Sequence, residues 1–335
     1  MKIETTVFRR ESEDNSETGR LSSHPHPSPP RVGLALSSGG AKGLAHIGVI
    51  QVLEENGIPI HAIAGSSMGA YVAAVWAYGH DGQQMEKFAR EVEGRWSWLR
   101  LLDPVLVPRS GLLRGAKTRR RLHHAIGDVS FSDLARPLRV VATNLVTLER
   151  KVFSSGEVAL AVQASSAIPG ICEPVRIGDE TYFDGGVADP LPVDVAREMG
   201  VDCVIAVNVI PTPAYLRCRL EFDREQAALR KQRENPVTKL IRRAVDAGTA
   251  HSIFDVMNRS TLAGQMQMAE LSCRHADLVL RPLSFDGRWH DFHRPGKYIE
   301  LGRRTAEEHL SEIKALIRRH THEHNAPHHP LAVAA

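Results

Sequence analysis

Hydrophobic residues in this chain of 335 fall in short unbroken runs rather than in alternation, with turn residues cutting between them. Residues 31–36 (Arg-Val-Gly-Leu-Ala-Leu), 60–64, 138–146 and 201–209 are such runs, of strand length and mainly apolar, with polar residues such as Arg31, His61, Arg139, Asn144, Asp202 and Asn208 at isolated positions. A strand apolar on both faces is one buried on both faces, as in a parallel sheet covered by helices. Stretches of helical length stand between them at 70–78, 83–92, 158–165 and 193–199. The alternation predicts an α/β fold: a doubly wound, mainly parallel sheet with flanking helices and its site at the carboxyl ends of strands. Runs at 175–177 and 181–183 around Gly178-Asp179-Glu180 predict a hairpin. Beyond residue 213 the pattern changes to charged amphipathic stretches, with helices expected at 220–233, 237–250 and 253–273, a strand at 276–280 and a last helix at 302–319.

Glycine-rich turns interrupt this pattern where strand passes into helix. Gly65-Ser66-Ser67-Met68-Gly69 follows the apolar residues Ile60, Ala62, Ile63 and Ala64 and precedes the helical stretch from residue 70. It reads G-x-S-x-G as a nucleophile elbow, a sharp turn that projects a serine hydroxyl above the sheet over the positive end of a helix. Ser67 is the candidate nucleophile, against the plainer reading of a Gly/Ser turn between two buried elements. Ser37-Ser38-Gly39-Gly40-Ala41-Lys42-Gly43 likewise leaves a strand and opens a helix expected to run through residue 53. Consecutive glycines let N–H groups converge on one point, as an oxyanion hole or a phosphate cradle requires, and Lys42 adds positive charge. A dinucleotide turn fits poorly, because Ser38 stands where its first glycine belongs and no acidic residue closes a clear second strand about 20 residues on. Nor is this a P-loop, since Gly43 and Leu44 follow Lys42. Asp184-Gly185-Gly186, at the end of the hairpin, is by itself an ordinary turn.

Together and in this order, S-G-G-A-K-G (38–43), G-S-S-M-G (65–69) and D-G-G (184–186) resemble the patatin-like phospholipase family. So does the connecting Ala164-Ser165-Ser166-Ala167-Ile168-Pro169-Gly170 with Pro174, particularly as found in compact bacterial and neuropathy-target-esterase-like members. The resemblance covers roughly residues 31–211. It departs at Ser38, where the family usually has glycine, which is expected to alter the loop edge and leave the hole. The resemblance implies a Ser–Asp dyad without histidine, with Ser67 as nucleophile and Asp184 as general base. It further implies an oxyanion hole from Gly39, Gly40 and Ala41, supported by Lys42, Gly43, Gly65, Gly69, Gly185 and Gly186. Lys42 would hold the loop or meet a lipid phosphate. The implied reaction is hydrolysis of phospholipid or lysophospholipid esters through an acyl-enzyme, with no metal and no cofactor. A Ser-His-Asp triad is the runner-up mechanism, for which His275, His290 and His293 are candidates. The Gly-Gly loop on the first strand and the D-G-G far downstream favour the dyad, and His46 is expected to pack or cap within its helix. A second class of function, an interaction or regulatory protein that keeps the fold with weak turnover, is opposed by the presence of both Ser67 and Asp184.

Composition changes this picture little. A hydrophobic share of 42% supports a sizeable core, and a net charge of +3 is too mild to argue for nucleic acid. Cys172, Cys203, Cys218 and Cys273 show no C-x-x-C spacing and are expected to be reduced thiols of a cytoplasmic protein. The first 30 residues hold no apolar core of a signal peptide and are expected to form a disordered arm. Residues 57–79 lack charge but contain Pro59 and the serine turn, so no transmembrane helix is expected there. Peripheral membrane contact has two candidate segments: Trp96, Trp98, Leu99, Leu101 and Leu102, and the basic Arg114, Lys117, Arg119, Arg120 and Arg121. Their plainer readings are a core-packing loop and a solvated helix face. The expected organisation is thus a disordered arm (1–30), a catalytic domain (31–211), a helical and strand extension packing on it (212–319) and a disordered His-rich tail (320–335). The tail could bind metal only adventitiously.

Overall fold

A computed structural model describes residues 29–94, 103–105, 110–231, 253–284 and 287–323. The aromatic run at 96–102, the helix expected at 237–250, the arm through residue 28 and the tail from residue 324 lie outside the described residues.

The apolar run β1 (Val32–Leu36) passes through a short 3-10 turn (Gly40–Leu44) into α1 (Ala45–Glu55). Next come β2 (Ala62–Ser66), α2 (Met68–Tyr78) and α3 (Gly82–Arg90), the last opened by a capping box in which Asp81 and Gln84 satisfy each other's backbone N–H. The elements α4 (Ala116–Ile126), β3 (Leu138–Asn144), β4 (Arg150–Phe153) and α5 (Val158–Ser165) lead to the hairpin β5 (Val175–Ile177) and β6 (Glu180–Asp184). After α6 (Val193–Arg197) and β7 (Cys203–Val207), the extension supplies α7 (Pro213–Lys231), α8 (Ile253–Cys273), β8 (Leu278–Leu280), α9 (Pro295–Glu308) and α10 (Leu310–Glu323).

Eight strands form one sheet in the order β5-β6-β3-β2-β1-β7-β8, with β4 also on β3. The strands β3, β2, β1, β7 and β8 are mutually parallel, whereas β4 and β6 pair antiparallel with β3, and β5 antiparallel with β6. Every residue of β1, β2 and β7 is buried, because helices cover both faces. Leu34, Leu36, Ile63, Ile205 and Val207 face a core shared with α1, α2 and α9. Their neighbours Ala35, Ala64, Val204 and Ala206 face a second core with Val193 and Met266. The expected α/β architecture of a mainly parallel sheet with flanking helices is therefore the observed one.

One detail of register brings the site together. Strand β3 pairs with β2 as far as Val141, opposite Ser66, and with β6 from Ala142, opposite Asp184. Its other edge is occupied by β4 across both positions. Strands β2 and β6 thus share one edge of β3 and run toward each other, ending on adjacent residues. The turn after β2 and the end of β6 are forced to meet.

The extension differs from expectation in its helix boundaries. The helix expected from residue 220 begins at Pro213. The last helix, expected at 302–319, is two: α9 starts at Pro295, where proline suits a first helical position, and ends at His309, after which α10 continues through Glu323. Helix α9 lies backbone to backbone on α1, since a Cβ at Gly48 would overlap the Ile299 carbonyl and one at Gly302 the Ala45 carbonyl. Arg303 spans the same pair of helices with a bidentate bond to Glu55 at 2.7 and 2.9 Å. No helix among the described residues is long and apolar enough to cross a membrane.

Candidate active site

Ser67 stands between β2 and α2 with φ 53° and ψ −121°, one of two described non-glycine residues with positive φ. Such a backbone costs on the order of 1–3 kcal/mol and persists only when its surroundings enforce it. Here they do. The Ser67 N–H donates to Ser165 Oγ at 2.8 Å, and its C=O accepts from Tyr71 in the first turn of α2. Gly69 lets that turn lie against the end of β1, where a Cβ would overlap the Leu36 carbonyl. Gly65 sits equally close to the Ala70 backbone, and Gly43 to the Met68 side chain.

The Ser67 hydroxyl donates to Asp184 Oδ2 at 2.7 Å. Ser67 is 6% and Asp184 4% exposed, so the bond lies out of bulk water. Asp184 is itself fixed: its other oxygen, Oδ1, accepts from Gly186 N–H at 2.7 Å, its N–H donates to the Ala167 carbonyl, and its C=O accepts from Thr143 Oγ1. Gly185 keeps the backbone close to the Val141 carbonyl, where a Cβ would not fit. Burial raises the Asp184 pKa to about 6, although the bonds from Ser67 and Gly186 act to lower it.

The Gly-rich loop reaches the same cavity as the serine at Gly40. Gly39 and Gly40 have φ 155° and 58°, and among the described residues neither N–H is hydrogen-bonded. Ala41, expected as a third oxyanion donor, instead gives its N–H to the Trp289 carbonyl at 2.7 Å. Ser38 gives its N–H to Pro190 and buries a hydroxyl that finds no partner among the described residues. Burial, with the nearby Arg219 guanidinium adding to it, lowers the Lys42 pKa to about 8.

Histidine is not hydrogen-bonded to either residue among the described residues. His46 is fully buried, its ring Nε2 bonds the Ser37 carbonyl at 2.9 Å, and burial lowers its pKa to about 4, so it packs beneath the loop as a neutral ring. His275 and His293 are tied into the structure through their carbonyls, to Arg197 and Gly94, while His290 borders the cavity described next. Among the described residues no group of three or more His, Cys, Asp or Glu is placed to hold a metal ion.

A cavity of about 570 Å³ opens from Ser67 and Gly40. Its walls are overwhelmingly apolar, including Val75, Met85, Phe88 and Ile171. Of the basic run, Arg121 is drawn into this wall, donating to the Phe88 carbonyl and pairing with Glu91 at 3.2 Å. Arg114 and Arg120 stay exposed. Two contributors escaped the sequence reading. Ser165 stands in a motif that assigns it no role, and in the Trp289 segment the sequence marks His290 and His293 but not Trp289.

Residues 34–197 match the family model for patatin-like phospholipase. An uncharacterized NTE family protein of Mycobacterium tuberculosis is 41% identical over 184 residues, which are 54% of this chain and 50% of that protein. Lysophospholipase nte1 of Aspergillus fumigatus is 34% identical over 180 residues, 53% of this chain and 12% of its own length. A solved structure of human GIVD cytosolic phospholipase A2 overlaps 88% of this chain and 60% of its own, with 13% identity and a TM-score of 0.44. The chain thus spans half the length of the first curated relatives it matches. By sequence, and with its serine and aspartate joined on an apolar cavity, this chain carries a patatin-like phospholipase domain.

Proposed function

We propose that the protein is a serine acyl hydrolase that cleaves carboxylic esters of phospholipids or lysophospholipids through a Ser67–Asp184 dyad. The observation that carries the reading is the 2.7 Å bond from Ser67 Oγ to Asp184 Oδ2, at a positive-φ elbow that opens on an apolar cavity. In the first step Ser67 Oγ attacks the ester carbonyl carbon while Asp184 takes the hydroxyl proton. The carbonyl oxygen becomes an oxyanion met by the N–H groups of Gly39 and Gly40, which have no hydrogen-bond partner among the described residues; such a donor contributes about 3 kcal/mol of barrier lowering. Collapse breaks the ester bond, and Asp184 returns the proton to the departing alcohol. Water then attacks the acyl-enzyme, gives its proton to Asp184 and releases the fatty acid, and the proton passes back to Ser67. Lys42, protonated at neutral pH, stands beside the loop to hold it or to meet a lipid phosphate. Action on lipid implies peripheral contact with a membrane.

A fluorophosphonate probe tests the assignment directly. Wild-type protein labels at one site, and Ser67→Ala removes both the label and p-nitrophenyl ester turnover while leaving the circular dichroism spectrum unchanged. Label or turnover surviving in Ser67→Ala overturns the reading.

The pH profile follows from the state of Asp184. As a base it acts only when ionised, so kcat/KM rises with pH and levels off above an inflection near 6, the raised value of this buried carboxylate. A limb rising near 4 instead would mean that a solvated carboxylate controls the rate.

A further inference from the structure

We propose that residues 287–294, which lie outside the matched domain, form a strap that positions the oxyanion loop and selects the acyl chain, with Tyr298 as its positioning residue. The inference rests on the hydrolase reading for its kinetic test, but its geometry stands on its own.

The strap touches the loop at the two residues that matter. The Trp289 carbonyl accepts the Ala41 N–H at 2.7 Å, which fixes the peptide plane that follows Gly40. It also lies so close to Gly40 that a Cβ there would overlap it. With the Ala41 N–H engaged, Gly39 and Gly40 keep the N–H groups of the loop that have no partner among the described residues, and Gly40 shares the cavity with Ser67. A loop whose glycines could otherwise take many conformations is thereby held in one by a carbonyl from a distant part of the chain.

The same strap closes one wall of the cavity. Trp289 and Phe292 line it together with Ser67 and Gly40. An acyl chain in the cavity therefore lies against residues whose backbone sets the hole. Contacts made far from the reacting carbonyl can then be expressed at the chemical step.

Three ties anchor the strap. Tyr298, in the first turn of α9 and 1% exposed, accepts from the Arg288 N–H at 3.1 Å. Its hydroxyl proton is shared between Asp291 Oδ2 at 3.1 Å and the Arg288 carbonyl at 3.2 Å. Asp291, 8% exposed, also accepts from the Arg288 N–H at 3.1 Å, which closes the turn. At one end Arg219 of α7 donates to the Gly287 carbonyl at 3.2 Å. At the other, the His293 carbonyl accepts from the Gly94 N–H at 3.1 Å, beyond α3.

The test compares p-nitrophenyl butyrate and p-nitrophenyl dodecanoate with full-length protein. Tyr298→Phe keeps the ring but releases the turn, and kcat on both esters falls about tenfold or more with KM nearly unchanged. Asp291→Asn loosens the same anchor and shifts kcat in the same direction. Trp289→Ala lowers kcat/KM for the dodecanoate about tenfold relative to the butyrate, flattening the chain-length preference. A readout that needs no turnover is quenching of tryptophan fluorescence by brominated dodecanoic acid, which Trp289→Ala largely abolishes. A Tyr298→Phe protein that melts lower but keeps wild-type kcat on both esters shows the anchor to be merely structural. Chain-length preference or saturable quenching that persists in Trp289→Ala overturns the wall. Wild-type protein that quenches but cleaves neither ester refutes the hydrolase reading and leaves the wall standing.

Discussion

Asp184→Asn is expected to lose ester turnover by about 10²- to 10⁴-fold, the usual contribution of a general base, and to make the protein more stable at neutral pH. The second effect follows from the first residue's environment. Burial raises the Asp184 pKa from 3.8 to about 6, so the folded state holds the proton more tightly than the unfolded chain. The stability this proton contributes is fully present below 3.8 and is lost as pH rises through about 6. At pH 7–8 the ionised carboxylate therefore costs on the order of 3 kcal/mol, taken from the shift of about two units. Asparagine keeps the shape without the charge, so thermal unfolding should show Asp184→Asn gaining stability at pH 8, with the gain fading toward pH 4. His275→Ala and His293→Ala, by contrast, should retain kcat. A histidine variant as inactive as Asp184→Asn would restore the triad mechanism, and an Asp184→Asn protein less stable at pH 8 would contradict the raised pKa.

Gly40→Ala is expected to lower kcat by about 10²- to 10³-fold, the cost of losing an oxyanion donor. Two independent obstacles act at this position. Its φ of 58° is unfavourable for a residue with a side chain, and the added Cβ would meet the Trp289 carbonyl. The loop must shift, and the N–H groups of Gly39 and Gly40 shift with it. Because the hole is used in the transition state more than in substrate binding, the loss should appear in kcat with KM little changed. Ser38→Gly is the matching control, since it removes a buried hydroxyl that has no partner among the described residues and leaves the glycines in place. Equal kinetics for Gly40→Ala and wild type would mean that the carbonyl oxygen is stabilised elsewhere.

How much of this was legible in the sequence depended on whether a contact uses side chains or backbone. The elbow was legible because Gly65 and Gly69 are demanded by close backbone approach and flank Ser67 at fixed spacing. Strands β1, β2 and β7 were legible because burial on both faces leaves an unbroken apolar run. Asp184 was legible only in company, because a D-G-G turn is common and its pairing with Ser67 arises from the meeting of β2 and β6 along β3. Ala41 was misassigned because its N–H is drawn off by a carbonyl, a group that every residue carries and no pattern marks. For the same reason the contact of Trp289 with the loop left no trace. The break at His309 was missed because the apolar spacing continues from α9 into α10 across it.

The backbone-to-backbone seating of α9 on α1 has a consequence for synthesis. Asp184, the later of the two candidate dyad residues, leaves the ribosome about a hundred residues before Pro295, where the helix that must cover α1 begins, and Ser67 leaves earlier still. At about 5–20 residues per second that interval lasts roughly 5–20 s, during which the first α-helix has an uncovered glycine seam and the loop ahead of it has no carbonyl to hold it. A nascent chain stalled after residue 211 should therefore carry Ser67 and Asp184 yet fail to react with a fluorophosphonate probe until its last helices have emerged.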